Sequence, residues 1–423
     1  MTEVADQIVT DRWRMRAPTV PRLGQTICVP TVHPVGDRRV LRCAQPILDA
    51  GFDIHFIWLG GEPGDARPHA RVSETRLPEV RSFRDRLRLV PRVAALAREL
   101  DADAWHIHDY YLLAHARRWA RRTDRPVLYD VHEYYPEYYS ERFAAPTWVQ
   151  RTAKHLVAGV ERRHAVRLGA ANAVSEELAE RFRACGVPAI ATPNYPSTEA
   201  FHHPARELTP DLLRRVIHTG NLTTQYGADV LVHLAVELAQ IAPDVELLAI
   251  SRFPSEADRR RFTASLARAG RPANLTMLDL VPAHEVAGLL ATCGIGLSMM
   301  QDVGEARLSV NSKFYEYASM GLAIVTSDLP AARRFMAASA VGQCVPADRP
   351  ELFARAIGDL IANAGDTCGA VNRAAPRARE ELSWERTCAP RIQSLVRQLI
   401  PGADSARSRK HPASQPEPTP GSV

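Results

Sequence analysis

The chain lacks the features that define several common protein classes. Its seven cysteines are scattered, odd in number and never spaced as C-x-x-C, which predicts reduced thiols in a cytoplasmic protein and no disulfide or metal framework. Residues 1–22 contain no apolar segment typical of a signal peptide. The longest apolar run, 286–300, is interrupted by Thr292, Gly294 and Gly296 and is too short to span a bilayer. We therefore expect a soluble protein.

Signatures of nucleic-acid binding and of nucleotide hydrolysis are also missing. The net charge is only +5, and there is no zinc-knuckle spacing, RNA-binding aromatic signature or basic zipper, so we expect no nucleic-acid partner. No G-x-x-x-x-G-K-[ST] motif occurs, and the glycine loop at 220–227 is not G-x-G-x-x-G. A Walker NTPase and a dinucleotide-binding fingerprint are both disfavoured.

Lysine is nearly absent. Of the 53 basic residues only Lys154, Lys313 and Lys410 are lysine. Because a compact ammonium is not equivalent to a guanidinium at a crowded phosphate site, Lys313 is a candidate binding residue.

Apolar segments alternate with amphipathic ones through most of the chain, which predicts an α/β protein. With 423 residues, of which 46% are hydrophobic, the chain can form two cores. The pattern predicts two doubly wound, Rossmann-like parallel-sheet domains facing each other across a cleft, with a C-terminal helix returning toward the first. The predicted segments are a flexible start (1–22), first domain (23–195), linker (196–209), second domain (210–382), crossover helix (383–400) and disordered tail (401–423).

Two stretches within the first domain allow alternatives. Residues 71–100 contain eight arginines among apolar residues and predict an amphipathic helical region whose basic face is either solvated or in contact with an anionic membrane. Residues 134–139 (YYPEYY) predict an aromatic loop. Its tyrosines either contact a ligand with apolar and polar faces, such as a sugar, or form a local core.

Polar residues follow two predicted strands of the first domain. Since ligands bind beyond the carboxyl ends of strands in open parallel sheets, His108, Asp109, His132 and Glu133 are expected to face one cleft.

In the second domain, residues 311–321 (NSKFYEYASMG) predict a short helix before a buried strand. Asn311 and Ser312 can cap its start, and Gly321 can end it. Lys313 and Glu316 share a face near its positive end, where they could hold a diphosphate and a ribose diol. A surface ion pair is the alternative. The strand, glycine loop and helix at 215–238 likewise present backbone amides to a phosphate.

Together these segments resemble the GT-B glycosyltransferases of family 4, the retaining "group 1" transferases. The likeness covers roughly residues 26–399. In the first domain it rests on 37–40 (DRRV), 103–109 (DAWHIHD), 129–133 (YDVHE) and 173–175 (AVS). In the second it rests on 218–222 (HTGNL) with Gly227, and on 313–321 (KFYEYASMG).

The resemblance implies a metal-independent transferase without a cofactor, whose partners are a nucleotide-diphosphate sugar donor bound by the second domain and a hydroxyl acceptor bound by the first. It implies catalytic roles for His132, at the transferring sugar, and Glu316, at the ribose. The implied donor-binding residues are Gly220, Asn221, Thr223, Arg252, Val281, Ser309, Asn311, Lys313 and Glu316. The implied acceptor-binding residues are Asp37, Arg38, His108, Asp109, Glu133, Tyr134 and Tyr135.

The sequence departs from the family pattern at three positions. Leu308 replaces the first glutamate of the E-x7-E motif, and Asn221 and Tyr226 replace basic residues of the phosphate loop. These departures motivate one alternative, a catalytically idle transferase-like scaffold. A second alternative is a sugar-nucleotide epimerase of the same architecture.

A third alternative, a metal-binding D-x-D at Asp101 and Asp103, is rejected because these residues precede a strand. The acceptor is expected to be a glycan, a lipid-linked sugar or a small natural product. A lipid-linked acceptor would place the protein at the inner membrane face, in contact through 71–98.

Overall fold

The structure, a computed structural model, describes residues 24–34, 37–60, 70–80, 82–141, 145–198, 201, 206–281 and 283–401. The predicted flexible start and nearly all of the predicted disordered tail lie outside the described residues.

Thirteen described strands form two sheets, each entirely parallel. The first sheet has the order β3-β2-β1-β4-β5-β6-β7, and the second β10-β9-β8-β11-β12-β13. The strands are β1 Thr26–Pro34, β2 Asp53–Leu59, β3 Val72–Leu77, β4 Ala104–Ile107, β5 Val127–Val131, β6 Ala170–Ala173, β7 Ala189–Ala191, β8 Arg215–Asn221, β9 Glu246–Arg252, β10 Leu275–Leu278, β11 Ile295–Ser298, β12 Ala323–Ser327 and β13 Gly342–Val345.

Helices connect the strands. They are α1 Arg38–Asp49, α2 Phe83–Glu99, α3 Leu113–Thr123, α4 Tyr135–Glu141, α5 Thr147–Ala165, α6 Glu176–Arg183, α7 Ala228–Ile241, α8 Glu256–Arg268, α9 Ala283–Ala291, α10 Ser312–Ser319, α11 Pro330–Ser339, α12 Pro350–Ala362, α13 Ala364–Glu381 and α14 Ala389–Leu399. Short 3-10 turns lie at Tyr110–Leu112, Pro210–Arg214 and Gly304–Arg307, and a π-helical turn at Trp384–Cys388.

The strand order reverses beside β1 in the first sheet and beside β8 in the second. Such switch points create a crevice at the carboxyl ends of the strands. The doubly wound, two-sheet architecture predicted from the sequence is confirmed.

The C-terminal helix closes the chain back onto the first sheet. Ile392 and Val396 of α14 are buried in one cluster with Ile27 of β1 and Ile47 of α1. Trp384, just before α14, joins the same cluster while Arg39 and Arg42 of α1 lie over its ring. The predicted return of the last helix to the first domain is therefore confirmed.

Several elements differ from the sequence-based expectations, among them β13, which was not predicted. The basic stretch at 71–100 begins with an edge strand, β3, before α2. Strand β3 lies at the edge of the sheet and pairs with β2 on one side only. Its largely polar side chains are typical of an edge strand. The predicted loop 134–139 forms α4, with Pro136 in the first turn where its missing N–H costs nothing. The three-residue β7 was not predicted.

Candidate active site

Helix α10 carries the two charged residues singled out in the second domain. Asn311 has the extended backbone of an N-cap residue, but its amide Nδ2 points to Sδ of Met300 (2.5 Å) and does not cap the helix. The predicted side-chain cap is thus wrong. The amide of Phe314 donates to the carbonyl of Asn311 (3.1 Å). Because the Asn311 side chain does not cap the first turn, the amides of Ser312 and Lys313 have no partner among the described residues and are left for a ligand.

Tyr317 anchors α10 to the centre of the second sheet. Its hydroxyl accepts from the amide of Thr219 in β8 (3.0 Å) and donates to the carbonyl of Leu297 in β11 (3.3 Å). A side chain on Gly296 of β11 would collide with the Tyr317 ring, which explains glycine there. The helix is therefore held at a fixed distance from the switch point.

Lys313 is buried, with 6% of its surface exposed, and lies over the glycine loop. A Cβ on Gly220 would be 3.6 Å from Nζ. Burial lowers the pKa of Lys313 to about 8, and Glu316 only partly opposes this effect. Within the described part of the chain, no carboxylate forms an ion pair with Nζ. A buried ammonium without an anionic partner is costly unless a ligand supplies the charge.

The glycine loop continues β8 at the carboxyl edge of the sheet. Gly220 has φ +110°, a conformation that favours glycine. The carbonyl of Thr223 accepts from the amides of Tyr226 and Ala228 and so fixes the turn into α7. Asn221 pairs in register with Arg252, whose exposed side chain lies at the end of β9. Arg252 thus places a guanidinium beside a loop that lacks a basic residue at 221.

Glu316 faces the first domain. Burial raises its pKa above the usual range, while Arg42, Lys313 and Arg38 favour the charged form. Arg38 and Arg42 belong to α1, so α10 faces the opposite domain across the cleft. The pairing of Lys313 and Glu316 as a simple surface ion pair is excluded, because Lys313 is buried and the two groups do not form one.

A buried charge network supports the first-domain side of the cleft. Asp130, at the end of β5, receives two hydrogen bonds from Arg39 (3.0 and 3.1 Å) and one from Asn172 (2.5 Å). Burial opposes its charge, but Arg39 and two histidines hold the pKa of Asp130 well below its usual range. Nδ1 of His132 lies 3.7 Å from Oδ1 of Asp130, and 18% of the His132 side chain is exposed. Asp130 thus lies behind the His132 ring, within ion-pair distance of Nδ1.

His33 is a site residue that the sequence reasoning missed. Its Nε2 lies 3.1 Å from Asp109 and its Nδ1 3.3 Å from Asp37, and its ring meets the His132 ring edge-on at 5.6 Å. Burial opposes its charge, yet the two carboxylates raise the pKa of His33 to about 10. The only available signal was its position at the carboxyl end of β1.

The candidate acceptor residues differ in how much surface they leave for a ligand. Asp37 caps α1, and Asp109 accepts from the amide of Val32 and the hydroxyl of Thr31. His108, Tyr134 and Tyr135 are buried, which leaves them almost no surface to contact an acceptor in this arrangement. Arg38, Glu133 and His132 retain exposed area. The acceptor roles of Arg38 and Glu133, and the catalytic role of His132, stay predictions, as do the acceptor roles of the other residues.

The tyrosine-rich segment forms a local core. Tyr135 stacks on Tyr139 with ring centroids 6.0 Å apart, and Tyr110 lies 5.1 Å from Tyr135. Tyr134 instead joins the two domains. Its hydroxyl contacts Ser175 (2.6 Å) and donates to the carbonyl of Leu308 (3.1 Å).

Leu308, which replaces the first glutamate of the family motif, packs against the first domain's core. Ser309 follows it in the loop leading into α10, and its side chain is partly buried. Val281 follows β10 and packs against the cluster that contains Phe314. The residues predicted to bind the donor thus lie around the carboxyl edge of the second sheet.

One group of described residues has the spacing of a metal site. Potential ligand atoms of His106, His108 and Asp130 all lie within 4.8 Å of one another, fully buried. Because Arg39 already binds both carboxylate oxygens of Asp130, a cation there would face a guanidinium, so this group does not fit a metal. Asp101 and Asp103 precede β4, where they bind Arg125 and the amide of Thr26.

Two facing parallel-sheet domains with a glycine loop and a helix start at the cleft define the GT-B class of transferases. The family model described as "Glycosyl transferase 4-like domain" matches residues 36–194, and "Glycosyl transferases group 1" matches 214–363. This chain belongs to the group 1, GT4-like glycosyltransferases. Comparison with curated protein sequences gives no significant match.

Solved structures similar to this chain share its fold at low identity. Sucrose-phosphate synthase from Thermosynechococcus elongatus has a TM-score of 0.68 at 15% identity, covering 89% of this chain and 99% of its own. HepE from Anabaena, in complex with UDP-glucose, has a TM-score of 0.61 at 14% identity, covering 91% and 99%. The α,α-trehalose 6-phosphate synthase from Burkholderia multivorans has a TM-score of 0.62 at 15% identity, covering 94% and 100%.

Proposed function

We propose that this protein is a retaining glycosyltransferase that moves a sugar from a nucleoside diphosphate to a hydroxyl acceptor. The observation that carries the proposal is the buried ammonium of Lys313, which lies over Gly220 and forms no ion pair with any carboxylate among the described residues. A diphosphate between the glycine loop and the start of α10 would supply the missing negative charge. The structure of HepE in complex with UDP-glucose is consistent with a donor of this class.

The leaving diphosphate gains charge as the sugar bond breaks. Lys313 and the first-turn amides of α10 are oriented toward that charge before reaction, which is the kind of stabilisation that contributes most to catalysis. Arg252 adds a cation at the loop edge, and Glu316 accepts hydrogen bonds from the ribose hydroxyls. These groups supply the charge stabilisation that a metal would otherwise provide, so we propose a metal-independent reaction.

The first domain contributes His132 at the transferring sugar. Its ring has Asp130 and His33 as neighbours. Since the two carboxylates raise the pKa of His33 to about 10, His33 stays protonated at neutral pH and adds positive charge beside His132. His132 forms a hydrogen bond with the sugar or acceptor. Arg38 and Glu133 line the acceptor side of the cleft. The proposed reaction takes place in the cytoplasm.

The test is a screen of UDP-, GDP- and dTDP-sugars, read out as nucleoside diphosphate release with and without glycan, lipid-linked and small-molecule acceptors. The proposal predicts release that depends on one donor and rises with an acceptor. Conversion of the donor to an epimerised nucleotide sugar without acceptor would identify an epimerase. Absence of binding to all three nucleoside diphosphates would identify a scaffold.

A further inference from the structure

The outer face of α5 combines apolar and basic side chains to an unusual degree. Four of the eight large apolar side chains most exposed in the described part of the chain lie on α5 or directly after it: Trp148 (71%), Leu156 (65%), Val160 (45%) and Val166 (43%). Leu156, Val160, Arg163 and Arg167 follow one another at spacings of four, three and four, so they share one face. Clustered exposed apolar surface marks an interaction site.

The exposed charged side chains of α5 are all basic. Glu161 is the only carboxylate of α5, and it is buried, accepting a hydrogen bond from Tyr129 (3.1 Å). At the C-terminal end of α5, a groove of about 560 Å³ is lined by four arginines and no acid: Arg117, Arg162, Arg163 and Arg167. Burial and neighbouring arginines together lower the pKa of His164 next to this groove, which is consistent with a positive local potential.

We propose that the α5 face, defined by Trp148, Leu156, Val160, Arg163 and Arg167, binds the surface of an anionic lipid bilayer. Apolar side chains would enter the headgroup region while the arginine groove receives headgroup phosphates. A helix that lies on a membrane in this way needs no spanning segment, and no described helix is apolar and long enough to span one.

Two other occupants fit the face less well. A second copy of the chain would bring two basic faces together, at a cost from like-charge repulsion. Nucleic acid would pair with the arginines but would gain little from the apolar row. The stretch 71–98, for which the sequence suggested membrane contact, is a weaker candidate because Arg71, Arg76 and Arg88 are already in ion pairs.

The position of α5 relative to the cleft determines what membrane binding would do. Helix α5 follows α4, which contacts the 3-10 turn Gly304–Arg307 of the second domain, so the Trp148 end of the face is near the cleft edge. Docking there would hold the cleft next to the bilayer.

The experiment is flotation of the full chain with vesicles of phosphatidylcholine alone or with about one-third phosphatidylglycerol. We expect binding to the anionic vesicles at least about tenfold stronger than to the neutral ones, and weakened by salt. The double variants Leu156→Ser/Val160→Ser and Arg163→Glu/Arg167→Glu should each lose at least about tenfold. Trp148→Ser is a third α5 variant. Because Trp148 is largely exposed, this substitution leaves the packing of the core unchanged.

Matched controls lie on the second domain. Ile241→Ser removes a comparably exposed apolar side chain, and Arg260→Glu/Arg268→Glu reverses two exposed charges of α8. These controls should bind like the parent, and thermal melts establish that all variants are folded. Three results would overturn the proposal: equal binding to both vesicles, α5 variants that float like the controls, or duplex DNA binding or self-association without vesicle binding.

Discussion

Lys313 and Glu316 show how two neighbouring positions on one helix acquire different environments. Lys313 is directed over Gly220 within its own domain, whereas Glu316 faces Arg38 and Arg42 of the opposite domain. The sequence predicted their shared face. It could not predict that, in the part of the chain that the structure describes, no carboxylate forms an ion pair with Lys313, because that depends on which residues the fold brings around Nζ.

Replacing either residue should slow the reaction. Lys313→Ala removes the ammonium at the diphosphate, and Glu316→Ala removes the acceptor at the ribose. We expect each to lower turnover by at least about tenfold, the effect of losing one charge-assisted contact. Steady-state nucleoside diphosphate release measures this, with Lys154→Ala, the other described lysine, as the matched control. Unchanged turnover in both variants would refute the assignment.

The lowered pKa of Lys313 predicts a pH dependence for donor binding. As pH rises through about 8, the free protein loses the ammonium that the diphosphate needs, so affinity should fall. Between about pH 7.5 and 9.5 we expect the dissociation constant of the preferred nucleoside diphosphate to rise at least about tenfold. Calorimetry should also detect proton uptake on binding. Lys313→Arg stays charged throughout, so an equal pH dependence in that variant would contradict the assignment.

Arg39 is predicted to act on stability through Asp130. Arg39→Ala leaves a buried carboxylate without its main partner and should lower the free energy of unfolding by about 3–5 kcal/mol. The neighbouring Arg38→Ala changes an exposed side chain and should remain within about 0.5 kcal/mol of the parent. Denaturant unfolding measures the free energy of unfolding of both variants. Equal losses of stability in the two would contradict the predicted contribution of the buried Arg39–Asp130 pair.

Elements with strong apolar patterns could be predicted from the sequence, and those shaped by tertiary contacts could not. Strand β5 was predicted from its apolar residues, and α10 was predicted although the side chain of Asn311 does not cap it. Helix α4 was predicted as a loop, since its tyrosines form a local core only when Tyr110 of another segment packs on them. Strand β3 is polar because it lies at a sheet edge. His33 offered only its position at the carboxyl end of β1, because its partners Asp37 and Asp109 are brought to it by the fold.

The glycine loop at β8 gives a prediction about backbone conformation. Gly220→Ala introduces a side chain at φ +110° and places it 3.6 Å from Nζ of Lys313. The added side chain meets Nζ at an ordinary contact distance, but the positive φ strains the turn. We therefore expect donor affinity to fall by about tenfold, at the scale of 1–3 kcal/mol for such strain. Gly365→Ala is the control because it lies in a helix with open space around it. Equal donor affinity in the two variants would contradict the role of the loop.

The two domains are joined at several points around the cleft. Tyr134 reaches the carbonyl of Leu308, Tyr195 meets Tyr315 at 4.8 Å, and α14 returns to the first sheet. Leu308 therefore makes an interdomain contact at the position where the family motif has a carboxylate. The two-domain fold followed from alternating segments in the sequence, whereas these contacts between the domains could be found only in the structure.

The most direct measurement is calorimetric titration of the parent protein and Lys313→Ala with UDP, GDP and dTDP. Our account predicts that the parent binds at least one of these nucleoside diphosphates and that Lys313→Ala weakens that binding by about tenfold or more. Lys154→Ala should bind as the parent does. No binding by the parent, or equal affinity in the parent and Lys313→Ala, would contradict the account.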